Sequence, residues 1–256
     1  MMNNLTIDKM HQLKLAGMAA EFERQISTPG AGEAPFEQRV RSLVDHEITV
    51  RDNRRQQLLL KRAALPVQAA LEDVNYTARR NLDKSMFSSL ASLDWISQRH
   101  NLIITGPTGT GKSWLACALA NQACRDGLTA HFIRVPILIE SFVTSRAMGS
   151  FVNRIQQLKK FDLLILDDWG IDSFNKRAQS DMLELMESRM GSRSTLFTSQ
   201  LPLEDWHKTF DNKTVADAFM DRVVNSSHEI KLKGESLRAA QGLRSKTSSR
   251  KTPASS

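Results

Sequence analysis

The chain has 256 residues, 41% hydrophobic and 25% charged, with 35 Lys and Arg against 28 Asp and Glu for a net charge of +7. That composition is ordinary for a soluble globular protein, and the length suits one large or two small domains. Apolar runs last only a few residues, so no segment is long enough to span a bilayer. The opening Met-Met-Asn-Asn-Leu-Thr-Ile-Asp lacks the basic start and apolar core of a secretory signal, and a cytoplasmic location is expected. The positive excess favours a polyanionic partner, and most of it lies late: Lys231 to Ser256 holds seven Lys or Arg and one Glu.

Residues 1–75 read as helical. Leu15, Met18 and Phe22 make a stripe at helical spacing, and Thr28-Pro29-Gly30-Ala31-Gly32 interrupts it. Phe36, Val40, Leu43, Val44 and Ile48 restart a helical face that continues into Arg51, Arg54, Arg55, Leu58, Lys61 and Arg62. Those basic residues recur at three and four and share one side; they form a solvated face, a phosphate-tracking face or an oligomer contact. Pro66 ends the helix, residues 66–82 read as a connector, and Leu82 to Ser97 predicts a second amphipathic helix carrying Phe87, Leu90, Leu93 and Trp95.

A strand–helix alternation then begins, the pattern of a parallel sheet with helices on both faces. Strands are predicted near 101–105, 129–135, 162–167, 194–199 and 227–232, the last alternating as an edge strand does. The apolar run Leu102-Ile103-Ile104 leads into Gly106-Pro107-Thr108-Gly109-Thr110-Gly111-Lys112-Ser113, a G-x-x-x-x-G-K-[ST] phosphate-binding loop, with Trp114 next in the helix. Glycines at those places let successive N–H groups converge on phosphates, and the helix adds its positive end. Lys112 is expected to reach the β- and γ-phosphates and Ser113 to ligate Mg²⁺. ATP and Mg²⁺ are therefore the expected ligands. Cys117 and Cys124, two turns apart in that helix, are about 10 Å from each other, too far for a disulfide, and read as core residues.

The run Leu163-Leu164-Ile165-Leu166 delivers Asp167 and Asp168 to a strand end, where open α/β sheets bind ligands. Asp167 would hold Mg²⁺ through water, and Asp168 would orient or deprotonate the attacking water. Gln200, at the tip of Thr198-Ser199-Gln200, can reach that water or the γ-phosphate; Ser199 or Thr198 can instead cap the helix expected from Pro202. Arg146, Arg154, Lys159 and Lys160, between the second and third strands, read on their own as a solvated basic face. Arg222 closes a helix at 213–224, and Arg238 lies in Gly234-Glu235-Ser236-Leu237-Arg238; on its own each reads as a surface residue or an ion-pair partner. From Gly242 the chain has almost nothing to bury, so 242–256 is expected to be a basic disordered tail.

Together these motifs resemble AAA+ ATPases of the initiator and helicase-loader branch. The chain is most similar to IstB-type ATPases, helper proteins of insertion-sequence transposition. Leu13-Lys14-Leu15-Ala16-Gly17-Met18, Arg54-Arg55, Ala63-Ala64-Leu65-Pro66, Leu82-Asp83-Lys84, Ser199-Gln200-Leu201-Pro202 and the Gly234–Arg238 element carry that closer match. The resemblance implies a helical domain (1–75) before an AAA+ core (76–241), a P-loop α/β fold with five parallel strands in the order 5-1-4-3-2. It implies homo-oligomers assembled on double-stranded DNA that present it to a transposase; the alternative is a DnaC-like helicase loader. It places Gln200 at the sensor-1 position, Arg222 at the arginine finger reaching a neighbouring subunit, and Arg238 at the sensor-2 position. Two departures stand out: Asp168 occupies the position usually held by Glu, implying slow hydrolysis, and too few residues come after the last strand for the usual helical lid. With no base-reading motif visible, DNA contact through Arg51, Arg54, Arg55, Arg146, Arg154, Lys159 or Lys160 would be phosphate-directed and salt-sensitive.

Overall fold

A computed structural model describes residues 2–237. The expected tail at 242–256 lies outside the described residues. Two compact units divide between Leu58 and Leu59.

The first unit is helical, built from α1 (Met2–Gln12), α2 (Ala16–Ser27) and most of α3 (Phe36–Ala63), with a short 3-10 turn at Ala31–Glu33. Gly17 explains the Leu-Ala-Gly-Met opening: a Cβ there would sit 2.7 Å from Glu47 Cα, so only glycine lets α2 approach α3 this closely. The Glu47 carboxylate accepts from the Gly17 and Met18 N–H groups at 2.7 and 3.1 Å, satisfying the first turn of α2. Buried Glu21 accepts from Arg24, Gln25 and Ser42. The predicted apolar side of α3 is present but uncovered: Phe36, Val40, Val44 and Ile48 are all exposed, Phe36 by 78%.

The second unit carries the sheet. Its connector includes a 3-10 turn at Leu71–Asp73 and leads to α4 (Lys84–Ala91) and α5 (Asp94–Ser97). The single helix expected over 82–97 is thus two. Asp83 caps the first through Met86 N–H at 2.7 Å, and the chain then turns at Leu93, which takes a left-handed φ of 62°. That turn buries Trp95, whose Nε1–H donates to Leu90 O at 3.0 Å. Five parallel strands complete the unit: β1 (Asn101–Thr105), β2 (Ala130–Arg134), β3 (Leu163–Trp169), β4 (Ser194–Ser199) and β5 (Ser227–Lys231). Their order is β2-β3-β4-β1-β5, which read from the other edge is the expected 5-1-4-3-2, with β5 at an edge.

Between the strands run α6 (Lys112–Arg125), α7 (Val135–Ala147), α8 (Phe151–Lys159), α9 (Lys176–Arg189) and α10 (Lys213–Val224). Side chains alternate between two cores, as period-two geometry requires. Leu102, Ile104, Leu163 and Ile165 join α6 and the α4–α5 segment, whereas Ile103, Leu164 and Leu166 join α7 to α10. Cys117 and Cys124 are buried free thiols in the first core, and burial pushes Cys117 up to about 12. In the second, Trp169 stacks on Phe219 at 4.7 Å and packs beside Phe174, Phe197 and Trp206. No helix among the described residues is long and apolar enough to cross a membrane.

Candidate functional site at the strand ends

The loop Gly106–Gly111 joins the end of β1 to the start of α6. Its path needs glycine: Gly109 and Gly111 have φ of 82° and 93°, in the left-handed region. A Cβ on Gly111 would stand 2.6 Å from Arg80 Nη1, and one on Gly109 would strike Ser236. Pro107 O receives the Thr110 hydroxyl at 2.8 Å, tightening the turn, while Gly106 N–H donates to Ser199 O of β4. The Lys112 ammonium lies inside the cradle, donating to Gly106 O and Pro107 O at 2.7 and 2.9 Å. Trp114 is half-buried against the first core.

The two acids have distinct settings. Asp167 is buried, and its Oδ1 accepts from the Ser113 hydroxyl at 2.6 Å and the Thr198 hydroxyl at 2.5 Å. Asp168 takes a left-handed φ of 62° within a local irregularity of the β3–β4 pairing, and its N–H donates to Thr198 Oγ1. That conformation directs its carboxylate to Arg134, at the end of β2, with Nε to Oδ2 at 2.9 Å. Gln200 reaches the loop itself: its Oε1 accepts from the Thr108 hydroxyl at 2.7 Å. Ser199 donates to Trp169 O and accepts from Leu201 N–H, so it shapes the strand exit.

Ser113 and Asp167 fit a hard divalent cation, offering adjacent oxygens beside a phosphate cradle. Among the described residues no group of three or more His, Cys, Asp or Glu gathers for a metal. Few protein donors suit Mg²⁺, which keeps several waters and takes its other ligands from phosphate.

The remaining expected residues separate into groups. Arg222, at the end of α10, donates to Ala218 O at 2.6 Å and pairs with Glu187 at 2.7 Å. It lies at the opposite end of the sheet from its own phosphate loop, near Asn101 and Ser226 where β1 begins. Arg238 lies outside the described residues. Arg146 is engaged by Asp181 through Nε and Nη2 and lies 3.5 Å over the Phe151 ring. Arg51 pairs with Glu47 at 2.6 Å, whereas Arg54 and Arg55 are exposed on α3. Lys159 and Lys160 close α8, and Arg154 sits half-buried on it.

Two residues at the site gave no signal in the sequence, and Thr198, read there as part of a polar tip or a helix cap, instead bonds both acids. Arg134 is a strand residue of unremarkable spacing that the sheet brings onto Asp168. Arg80 comes from the connector, is buried, and donates to Thr110 O and Asn75 O at 3.1 Å, with no partner for its Nε. Burial pushes its guanidinium below the ordinary arginine value. The Gly-Glu-Ser-Leu element does have a readable purpose: Gly234, with a φ of 99°, lies against Arg79 O, and Leu237 N–H donates to Gly109 O at 2.9 Å. The segment that leaves β5 is thereby laid along the phosphate loop.

The order of the sheet, the loop after β1 and the paired acids at the end of β3 define an AAA+ P-loop fold. Solved structures agree on the fold. DnaI matches over 70% of this chain and 92% of that one with a TM-score of 0.55 at 22% identity. The DnaC helicase loader matches over 68% and 98% with a TM-score of 0.51 at 15% identity. The chain belongs to the family of IstB-like ATP binding proteins, whose model matches residues 8–245. It is 42% identical over 241 residues to a putative insertion sequence ATP-binding protein of Sinorhizobium fredii, covering 94% of this chain and 98% of the relative. It is 47% identical over 203 residues to the putative ATP-binding protein of insertion sequence IS1162 from Pseudomonas fluorescens, covering 79% of this chain and 88% of the relative. The chain is thus an ATP-binding AAA+ protein of the insertion-sequence type.

Proposed function

We propose that this protein is a Mg²⁺-dependent ATPase that assembles as a homo-oligomer on double-stranded DNA and delivers that DNA to a transposase, with hydrolysis as the switch. The observation that carries the reading is the Ser113–Asp167 hydrogen bond at 2.6 Å beside the Lys112 cradle. It joins the two halves of a metal–triphosphate site in a chain whose relatives are insertion-sequence ATP-binding proteins.

Lys112 exchanges its loop carbonyls for phosphate oxygens, and the loop N–H groups bind the remaining charge. Bound Mg²⁺ would neutralise charge developing on the β- and γ-oxygens. Asp168 orients the attacking water and accepts its proton; its pairing with Arg134 must open for this, which limits the basal rate. Gln200, already hydrogen-bonded to the loop, senses the γ-phosphate end. Arg222 serves the site of a neighbouring copy, because it lies a full strand, roughly 15 Å, from its own loop. The uncovered Phe36–Ile48 side of α3 supports self-association. A helicase-loader role is less favoured, since the named relatives at 42% and 47% identity belong to insertion sequences.

The experiment is ATP turnover with and without duplex DNA and Mg²⁺. Metal-dependent turnover that rises with DNA is expected; turnover indifferent to both would overturn the proposal.

A further inference from the structure

The strand-start end of the sheet, opposite the phosphate loop, holds a second concavity of about 390 Å³ at the β2 edge. Its walls come from the last turn of α3 (Leu59, Arg62), the start of β2 (Thr129 to His131), and the end of α8 with the residues after it (Arg154, Gln157, Lys160, Phe161). Three lining residues are cationic and none is a carboxylate. Among the described residues, Arg62, Arg154 and Lys160 form no ion pair; the nearby Asp162 is committed elsewhere, accepting from Thr129 N–H and Oγ1 and facing Arg193 at 3.5 Å. The Arg154 guanidinium is half-buried, with one long bond from Nε to Ser141 Oγ at 3.4 Å. His131 is fixed through Nδ1 against Arg62 O at 3.2 Å and stacks on Phe161 at 4.7 Å, giving the cations a flat, rigid wall.

A partly desolvated cation without a counter-charge is unfavourable, as Arg154 is here, and Arg62 and Lys160 add two exposed cations at the same hollow. An anion with several acceptor oxygens can pair with all three, and a phosphate ester matches the guanidinium fork. Lys61 and Lys159 extend the positive charge beyond the rim, which suits a polyanion better than a single small anion.

We propose that this concavity is a phosphate-ester site that seats a backbone phosphate of duplex DNA between Arg62, Arg154 and Lys160. The inference rests on the DNA-binding reading above and deepens it by assigning the contact to this edge, without Arg146, which Asp181 already holds.

The test is the affinity of the full chain, with ATP and Mg²⁺, for duplexes of unrelated sequence between 50 and 200 mM salt. Arg62→Gln, Arg154→Gln and Lys160→Gln should each weaken binding severalfold for every sequence. Each should also reduce the slope of log affinity against log salt by about 0.9 for every phosphate no longer neutralised. Arg154→Lys should recover most of the slope, which a merely structural role would not predict. If the wild-type protein binds DNA and the three variants match its affinity and slope, the site assignment is wrong while the DNA-binding reading stands. If the wild-type protein binds no DNA, both fall. Inorganic phosphate or a nucleoside monophosphate titrated into Lys112→Ala protein then separates the sources. Saturable binding that disappears in the Arg154→Gln, Lys112→Ala double variant would mean the pocket takes a free phosphate ester, which also overturns the backbone assignment.

Discussion

Two neighbouring aspartates have unlike partners because one backbone angle separates them. Asp167, in the strand, is held by Ser113 and Thr198; Asp168, at a left-handed φ of 62°, turns to Arg134. Lys112→Ala should abolish ATP binding in a nucleotide titration, since it removes the cradle's inward cation. Asp168→Asn should leave that binding intact while lowering turnover about 10²- to 10⁴-fold, the usual worth of a positioned base. Undiminished turnover would remove Asp168 from the mechanism. The loop and both acids were legible in the sequence because phosphate chemistry restricts which residues can serve there. Arg134 and Arg80 were not, nor was the contact of Thr198 with both acids, because these contacts depend on which strands and loops become neighbours, and no local pattern encodes that.

The strands were legible almost to their ends, since a parallel strand buried on both faces must be apolar nearly throughout, as Leu163 to Leu166 is. The break at Leu93 was not: apolar spacing over 82–97 fits one helix, and a single left-handed residue that buries Trp95 leaves no mark on periodicity. The pairing of α2 with α3 can be tested at Gly17. Gly17→Ala should lower the unfolding free energy by roughly 1–3 kcal/mol, the range for forcing an extra methyl into a close approach, measured by urea denaturation of the full chain. The same pair has an acid limit. Hydrogen bonding from Arg24, then from Gln25 and Ser42, outweighs burial and holds Glu21 down to about 2 from its ordinary 4.5. A depressed carboxylate stabilises the fold above its unfolded value, and that contribution disappears as pH falls from 4.5 toward about 2. Glu21→Gln should therefore flatten the pH dependence of stability in that window; an unchanged acid profile would show that Glu21 contributes nothing there.

At the scale of the whole sheet-bearing unit, a site is built at one end of the sheet, and the arginine that resembles its finger lies at the other. Phosphate loop, Asp167 and Gln200 gather at the strand ends, while Arg222 is held by Glu187 beside the strand starts. On the proposed reading one chain does not close its own site, and a second copy completes it. Arg222→Ala should bind ATP normally and hydrolyse it poorly. Mixing it with Asp168→Asn should restore part of the turnover, and no recovery at any ratio would confine the role of Arg222 to its own chain. The decisive measurement is direct imaging of the protein on duplex DNA with and without ATP and Mg²⁺. Ordered protein assemblies along the duplex only when nucleotide is present are the predicted result; equal coating of DNA by nucleotide-free protein would contradict it.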